Sequence, residues 1–317
     1  MSAGPARTNT LAVAALLAGA AAIGTSALFV KVSEVGPVSS AFWRVFLALP
    51  VLWLWARLEQ GGQPQGGSAE ASNGAADRPQ SRQPGDPRWL MVLAGVLFAG
   101  DLAVWHWSIV LTSVANATLL ANCAPIFVTL AAWLVFRRRP NRLFLTGLAA
   151  AITGMALLLR GDFQHGGTAL LGDALGIVTA MCYAAYQITV TRARQSVSTA
   201  RLMAVSGAVT ALILLPIAVL SEARFLPTSA QGWMVLLALA LIAQAAGQSL
   251  IAYAMAHLRA TFSSVGLLLQ PVIAAALAWI LLGEALTALA IAGGVLVLIG
   301  IRIAHAAQRV APEAAKG

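Results

Sequence analysis

The residues of this chain most able to do chemistry sit where charge is expensive. Arg44 lies several residues into an apolar stretch, within Ala41-Phe42-Trp43-Arg44-Val45-Phe46. Its guanidinium keeps its proton and is costly against lipid, so it must snorkel to an interface, pair with an acid such as Glu34, or bind an anionic group in a cavity. Asp101 lies midway along another apolar stretch, and helical spacing places Trp105, Ser108 and Thr112 on its stripe. A carboxyl group there can carry a proton, bind a substrate amine or hydrogen-bond between helices. His106 falls about 140° around the helix from Asp101, which suits a packing or interfacial histidine better than a relay partner.

Other polar residues gather on stripes of their own. Thr118, Asn122, Pro125 and Thr129 share one face, and Thr179, Tyr183, Tyr186 and Gln187 cluster on another. Gln244 and Gln248 lie one turn apart, and Ser263, Gly266 and Gln270 form a further line. A water-filled cavity between helices would collect such faces; alternatively each amide or hydroxyl glues one helix to the next for about 1 kcal/mol. Pro125 and Pro271 remove backbone hydrogen bonds within apolar surroundings, which suits a hinge or a plain kink. The two cysteines, Cys123 and Cys182, form no CxxC pattern, so neither a disulfide framework, a metal site nor a cofactor is expected.

The elements that must hold these residues are membrane helices. Of the 317 residues 59% are hydrophobic and 10% charged, and the mean hydropathy is +0.82, values outside the range of soluble domains. The apolar runs are continuous, which excludes the alternating pattern of a barrel. About ten spans are expected at the roughly 20 residues a bilayer core requires. They lie near 11–32, 38–57, 89–111, 114–136, 142–160, 170–191, 201–220, 231–255, 260–282 and 286–306. The segment 61–87, rich in Gly, Gln, Pro and Ser, cannot bury enough apolar area to order itself and reads as a linker without chemistry.

The net charge of +9 invites a nucleic-acid reading, but its distribution belongs to a membrane. With the N-terminus cytoplasmic, the cytoplasmic tails and loops collect fifteen of the twenty basic residues, including Arg137, Arg138, Arg139, Arg142, Arg192, Arg194 and Arg259. That is the positive-inside bias, and it places both termini in the cytoplasm. The first apolar stretch resembles a cleavable leader but is long and has a counterpart later in the chain, so it is expected to be a span.

That counterpart belongs to an internal duplication. A shift of 146 residues carries Pro125 onto Pro271, Trp133 onto Trp279, Gly147 onto Gly293 and Gly154 onto Gly300. A shift of 157 carries Gly19 onto Gly176, Ser39 onto Ser196 and Arg44 onto Arg201. The chain thus divides into a tail at 1–10, repeats at 11–160 and 169–306, and a tail at 307–317. Each repeat holds about five spans, an odd number, so the copies face opposite ways. The expected fold is an all-α integral membrane protein of two inverted five-helix repeats. Such a pair suits alternating access around a site between the halves.

The segment Phe42-Trp43-Arg44, the stretch from Thr112 to Pro125, its twin from Arg259 to Pro271, and Leu282-Gly283-Glu284 together resemble the EamA-type transporters of the drug/metabolite transporter superfamily. Family members often carry Gly-Glu after the first proline helix as well, where this chain has Phe136-Arg137-Arg138-Arg139. The resemblance implies a permease of the bacterial inner membrane, commonly an exporter of amino acids or other small metabolites, with a central cavity. There Arg44 would take an anionic group, and Asp101 an amine or a coupling proton. Trp43, Trp105, Tyr183 and Tyr186 would supply walls, and Asn122, Gln187, Gln248 and Gln270 hydrogen bonds. Partners are then a small-molecule substrate, the bilayer and a candidate proton, with oligomeric state open and Gly172 and Gly176 available for helix association. A competing reading, an integral-membrane enzyme on a lipid-like substrate, would use Asp101 with His106, but HExxH, GxSxG and P-loop motifs are absent.

Overall fold

The computed structural model describes residues 5–61, 87–112, 114–159, 168–283 and 285–310, and every regular element among them is helical. Nearly all of the expected linker, together with Arg160, Glu284 and the tail beyond residue 310, lies outside the described residues. The first repeat contains α1 (Pro5–Gly24), α2 (Ser26–Lys31), α3 (Pro37–Gly61), α4 (Pro87–Leu111), α5 (Val114–Ala121), α6 (Ala124–Leu134) and α7 (Arg142–Leu158). The second contains α8 (Thr168–Ala193), α9 (Thr199–Ser221), α10 (Ala230–Ala238), a π-helical segment (Leu239–Gln248), α11 (Ser249–Met255), α12 (Ala260–Gly266), α13 (Leu269–Leu282) and α14 (Ala288–Val310).

Nine of the described helical stretches are long and apolar enough to cross a bilayer, and the 17-residue α7 is a shorter apolar helix. At 1.5 Å per residue α7 reaches about 25 Å, near the lower limit for a span. The outer surface is that of a protein immersed in hydrocarbon: Leu212 is 72% exposed and Leu220 85%.

Four expected spans are not single α-helices. The first is interrupted at Thr25, whose hydroxyl donates to Ala22 O at 2.7 Å. The fourth breaks at Asn122-Cys123 and the ninth at Leu267-Leu268, which the shift of 146 residues brings to within one residue of each other. Each break precedes its proline. Pro125 and Pro271 therefore stand in the first turn of α6 and α13, where a missing N–H breaks no helical bond. The eighth span passes through ten residues of π-helix, whose wider turn re-aims Gln244 and Gln248 relative to a regular helix.

Packing follows the inverted duplication. α8 lies against α4, α5 and α6, and its counterpart α1 lies against the π segment, α11, α12 and α13. The two closing helices, α7 and α14, pair with one another through their glycines. A Cβ on Gly147 would fall 2.8 Å from Gly300 O, and a Cβ on Gly154 would fall 2.6 Å from Gly293 O. Exchanging the repeats turns the first contact into the second, as a two-fold axis between antiparallel helices requires. Gly172 and Gly176 are also used inside the chain, against the Thr112 backbone and the Leu120 side chain.

Where α6 and α13 end, the repeats diverge in chemistry but not in backbone. Gly283 has φ +68°, and Arg137, its equivalent by the same shift, has φ +52°. Around Arg137 the N–H of Arg138 reaches back six positions to Ala132 O at 2.9 Å and closes the end of the helix. A side chain thus stands where the backbone favours glycine.

The bundle has two unlike ends. One carries the 137–142 connector, the ends of α8 and α11, and the end of α14, tied together where Asn141 Nδ2 donates to Ala307 O at 3.2 Å. This is the arginine end. The other carries the 32–36 and 222–229 connectors.

Candidate functional site

Five helices bring part of the expected polar set together in the bundle centre. Arg44 on α3 directs its guanidinium at the ring of Phe98 on α4, 5.5 Å from the ring centroid. Asp101 on α4 and Tyr183 and Tyr186 on α8 lie close enough to act on its charge. Tyr186 stacks on Phe98 at 4.9 Å and on Tyr183 at 6.1 Å, and its hydroxyl accepts from Gln248 Nε2 at 3.0 Å. Gln270, in the first turn of α13, flanks Tyr183.

The polar atoms of this cluster are under-used. Arg44 Nε, both amide atoms of Gln187, Gln248 Oε1 and Gln270 Nε2 are buried with no hydrogen-bond partner among the described residues. Each such atom left empty costs about 1–3 kcal/mol. Arg44 and Asp101 attract one another without direct ion-pair contact among the described residues. The cluster thus offers a cation, an acid and several amide donors and acceptors, lined by three aromatic rings.

Three expected members lie elsewhere. Trp43 points toward the end opposite the arginines: its Nε1 donates to Phe225 O at 2.8 Å, and it packs edge-on against Trp233 at 5.0 Å. With Phe42, Phe46 and Phe225 it forms an aromatic plug. Trp105 is half-buried on α4, with no hydrogen bond or ring contact to the cluster among the described residues. Asn122 caps locally, donating to Thr118 O at 2.8 Å. Glu34 does not pair with Arg44, and His106 does not assemble with Asp101: its Nε2 stands 4.0 Å from Glu222 Oε1.

Sequence reasoning missed the capping role of the two acids, Glu34 and Glu222, that close the end beyond this plug. Glu222 follows α9 and accepts from Val38 N and Ser39 N, both at 2.8 Å, at the start of α3. Gly36 leaves room for that carboxylate, because a Cβ there would collide with it. Glu34 follows α2 and accepts from Thr228 N at 2.7 Å and Ser229 N at 3.1 Å, and from both hydroxyls, at the start of α10. These bonds hold its carboxyl down at a pKa of about 2. Each connector thereby caps a helix of the opposite repeat. The only advance signal was a Gly-Pro helix start at 36–37 with no capping side chain of its own.

A cavity of about 710 Å³ opens at the arginine end and does not include the expected site residues in its lining. It begins one helical turn from the cluster, at Ile188 and Thr191 of α8, Thr191 being four residues beyond Gln187.

Two stretches of the chain, 10–160 and 170–305, match the EamA-like transporter family, one for each half of the bundle. The chain belongs to the EamA-like transporter family. It is accordingly a multi-pass membrane protein of the drug/metabolite transporter superfamily. An uncharacterized transporter of Archaeoglobus fulgidus is 24% identical over 89% of this chain and 93% of its own. A pseudopaline exporter of Pseudomonas aeruginosa is 25% identical over 66% of this chain and 72% of its own. A crystal structure with 18% identity covers 95% of the chain at a TM-score of 0.76, a likeness of fold. The EamA resemblance drawn from the proline and glycine pattern is thereby established, and the central cluster and latched end are features of an EamA-like bundle.

Proposed function

We propose that this EamA-like protein is a secondary active exporter of a small metabolite, an amino acid or a related compound, working by alternating access in a bacterial inner membrane. The observation that carries the reading is the set of unpartnered buried atoms on Arg44, Gln187, Gln248 and Gln270 around Asp101, unmet hydrogen-bonding capacity that a polar substrate would satisfy. Arg44 takes the substrate's anionic group, Asp101 its amine or a coupling proton, and the Phe98, Tyr183 and Tyr186 rings its apolar part. The arginine end, with both termini, faces the cytoplasm. The Glu34 and Glu222 caps and the Trp43 plug form the outer gate. The halves 11–160 and 169–306 move against one another, with Pro125 and Pro271 beside the helix breaks as hinges.

The test is counterflow of radiolabelled amino acids and related metabolites in proteoliposomes, with and without a pH gradient. Saturable counterflow abolished by Arg44→Gln supports the reading. Loss of only the pH-driven part in Asp101→Asn identifies the proton site. Unchanged transport in the Arg44→Gln, Asp101→Asn double variant refutes it.

A further inference from the structure

The cavity at the arginine end has a composition that its position alone does not explain. Four of its lining residues are arginines, Arg138, Arg139, Arg192 and Arg259, and none is acidic. They come from three separate places in the chain: the 137–142 connector, the last turns of α8, and the turn between α11 and α12. The positive-inside bias requires basic residues on one side of the membrane; it does not require them to converge on one cavity. Among the described residues none of the four has an acidic ion-pair partner.

Three further features point to a built site. The Arg192 guanidinium lies 4.5 Å over the ring of Phe136, itself a lining residue. Stacking occupies the face of the guanidinium and leaves its N–H edge to grip a carboxylate. The connector also keeps Arg137 in left-handed backbone, where the other repeat uses Gly283, in order to turn the chain sharply before Arg138 and Arg139. Depth is the last feature. Tyr183, Gln187 and Thr191 follow one another at four-residue spacing along α8, and Gln195 continues the line in the turn after it, from the central cluster to the cavity wall.

We infer that this cavity is a loading site for organic anions carrying two or more carboxylates, gripped by Arg139, Arg192 and Arg259 before they pass along α8 to Arg44. A volume of about 710 Å³ suits a metabolite of that class. A zwitterion without net charge gains little in a field of four converging arginines, whereas a polycarboxylate gains at every step. The inference rests on the carrier reading and narrows its substrate class.

The probes are citrate, glutamate and, as the control without a second carboxylate, glutamine. They are titrated calorimetrically at fixed ionic strength into the full-length protein in phosphatidylcholine nanodiscs. Citrate or glutamate should bind saturably and at least 10-fold more tightly than glutamine. The Arg192→Gln, Arg259→Gln double variant should weaken binding at least 30-fold, the corresponding lysine variants less. Arg302→Gln, an exposed arginine outside the cavity, should change nothing. Nanodiscs containing phosphatidylglycerol separate the two sources of an anionic ligand: persistence of citrate binding supports a soluble substrate, and its displacement by the lipid overturns the inference. Equal binding of glutamine, or indifference to both arginine substitutions in protein that elutes as a folded species, also overturns it. Binding without any counterflow would remove the carrier reading and leave the site. Counterflow of zwitterions untouched by the double variant would do the reverse.

Discussion

The latched end makes a quantitative prediction through Glu222. Its side chain is 6% exposed and holds the start of α3 by accepting from Val38 N and Ser39 N. Glu222→Gln keeps one carbonyl acceptor, turns the other oxygen into a donor facing an N–H, and removes the charge opposed to the helix dipole. A hydrogen bond to a charged group contributes about 1.5–3 kcal/mol and the dipole interaction about 0.3–1 kcal/mol. Allowing for relaxation of the connector, a loss of about 2 kcal/mol is expected, or roughly a 30-fold shift from closed toward open at that end. Spin labels at Val32 and Leu226, both exposed beside the gate, in a Cys123→Ser, Cys182→Ser background, would report it by pulsed dipolar spectroscopy. A second, longer distance should appear in Glu222→Gln and grow in the Glu34→Gln, Glu222→Gln double variant. A distribution unchanged in the folded double variant would show that these caps do not hold the gate.

Three further outcomes can be checked. The Glu34 carboxyl is held near a pKa of 2 when capping α10, below its ordinary 4.5. Its contribution to closure is therefore complete above about pH 4.5 and lost as pH falls toward 2; the Val32–Leu226 distance should stay short from pH 8 to 5 and lengthen below, with that transition absent in Glu34→Gln. Gly154→Ala places a Cβ 2.6 Å from both Gly293 O and Val297 N, backbone atoms that cannot step aside. It should cost about 1–3 kcal/mol in detergent unfolding, and Gly293→Ala added to it should cost less than the sum, because the two residues share one contact. Arg137→Gly relieves left-handed strain and should raise stability by about 0.5–1 kcal/mol in the same assay; a loss would mean that the Arg137 side chain makes contacts worth more than the strain.

Hydropathy, charge bias and the 146-residue repeat determined, from sequence alone, that this chain is a bundle of membrane helices duplicated in opposite orientations. These properties are local or periodic, and a bilayer reads them residue by residue. Arg44 and Asp101 stood out for the same reason, since an ion in hydrocarbon is costly wherever its partners lie. Tertiary structure alone decided which residues meet them: Trp43 turned to the latched end, Asn122 to its own helix, and Phe98, an ordinary apolar residue in sequence, became the ring beneath Arg44. Gly147 and Gly293 were visible as equivalents, yet Gly147 touches Gly300, because a two-fold axis pairs each glycine with the partner of its twin. Glu222 caps a helix that begins 185 residues earlier and four arginines from three segments enclose one cavity. Contacts at that separation leave no periodicity in the chain, and only the packed bundle reveals them.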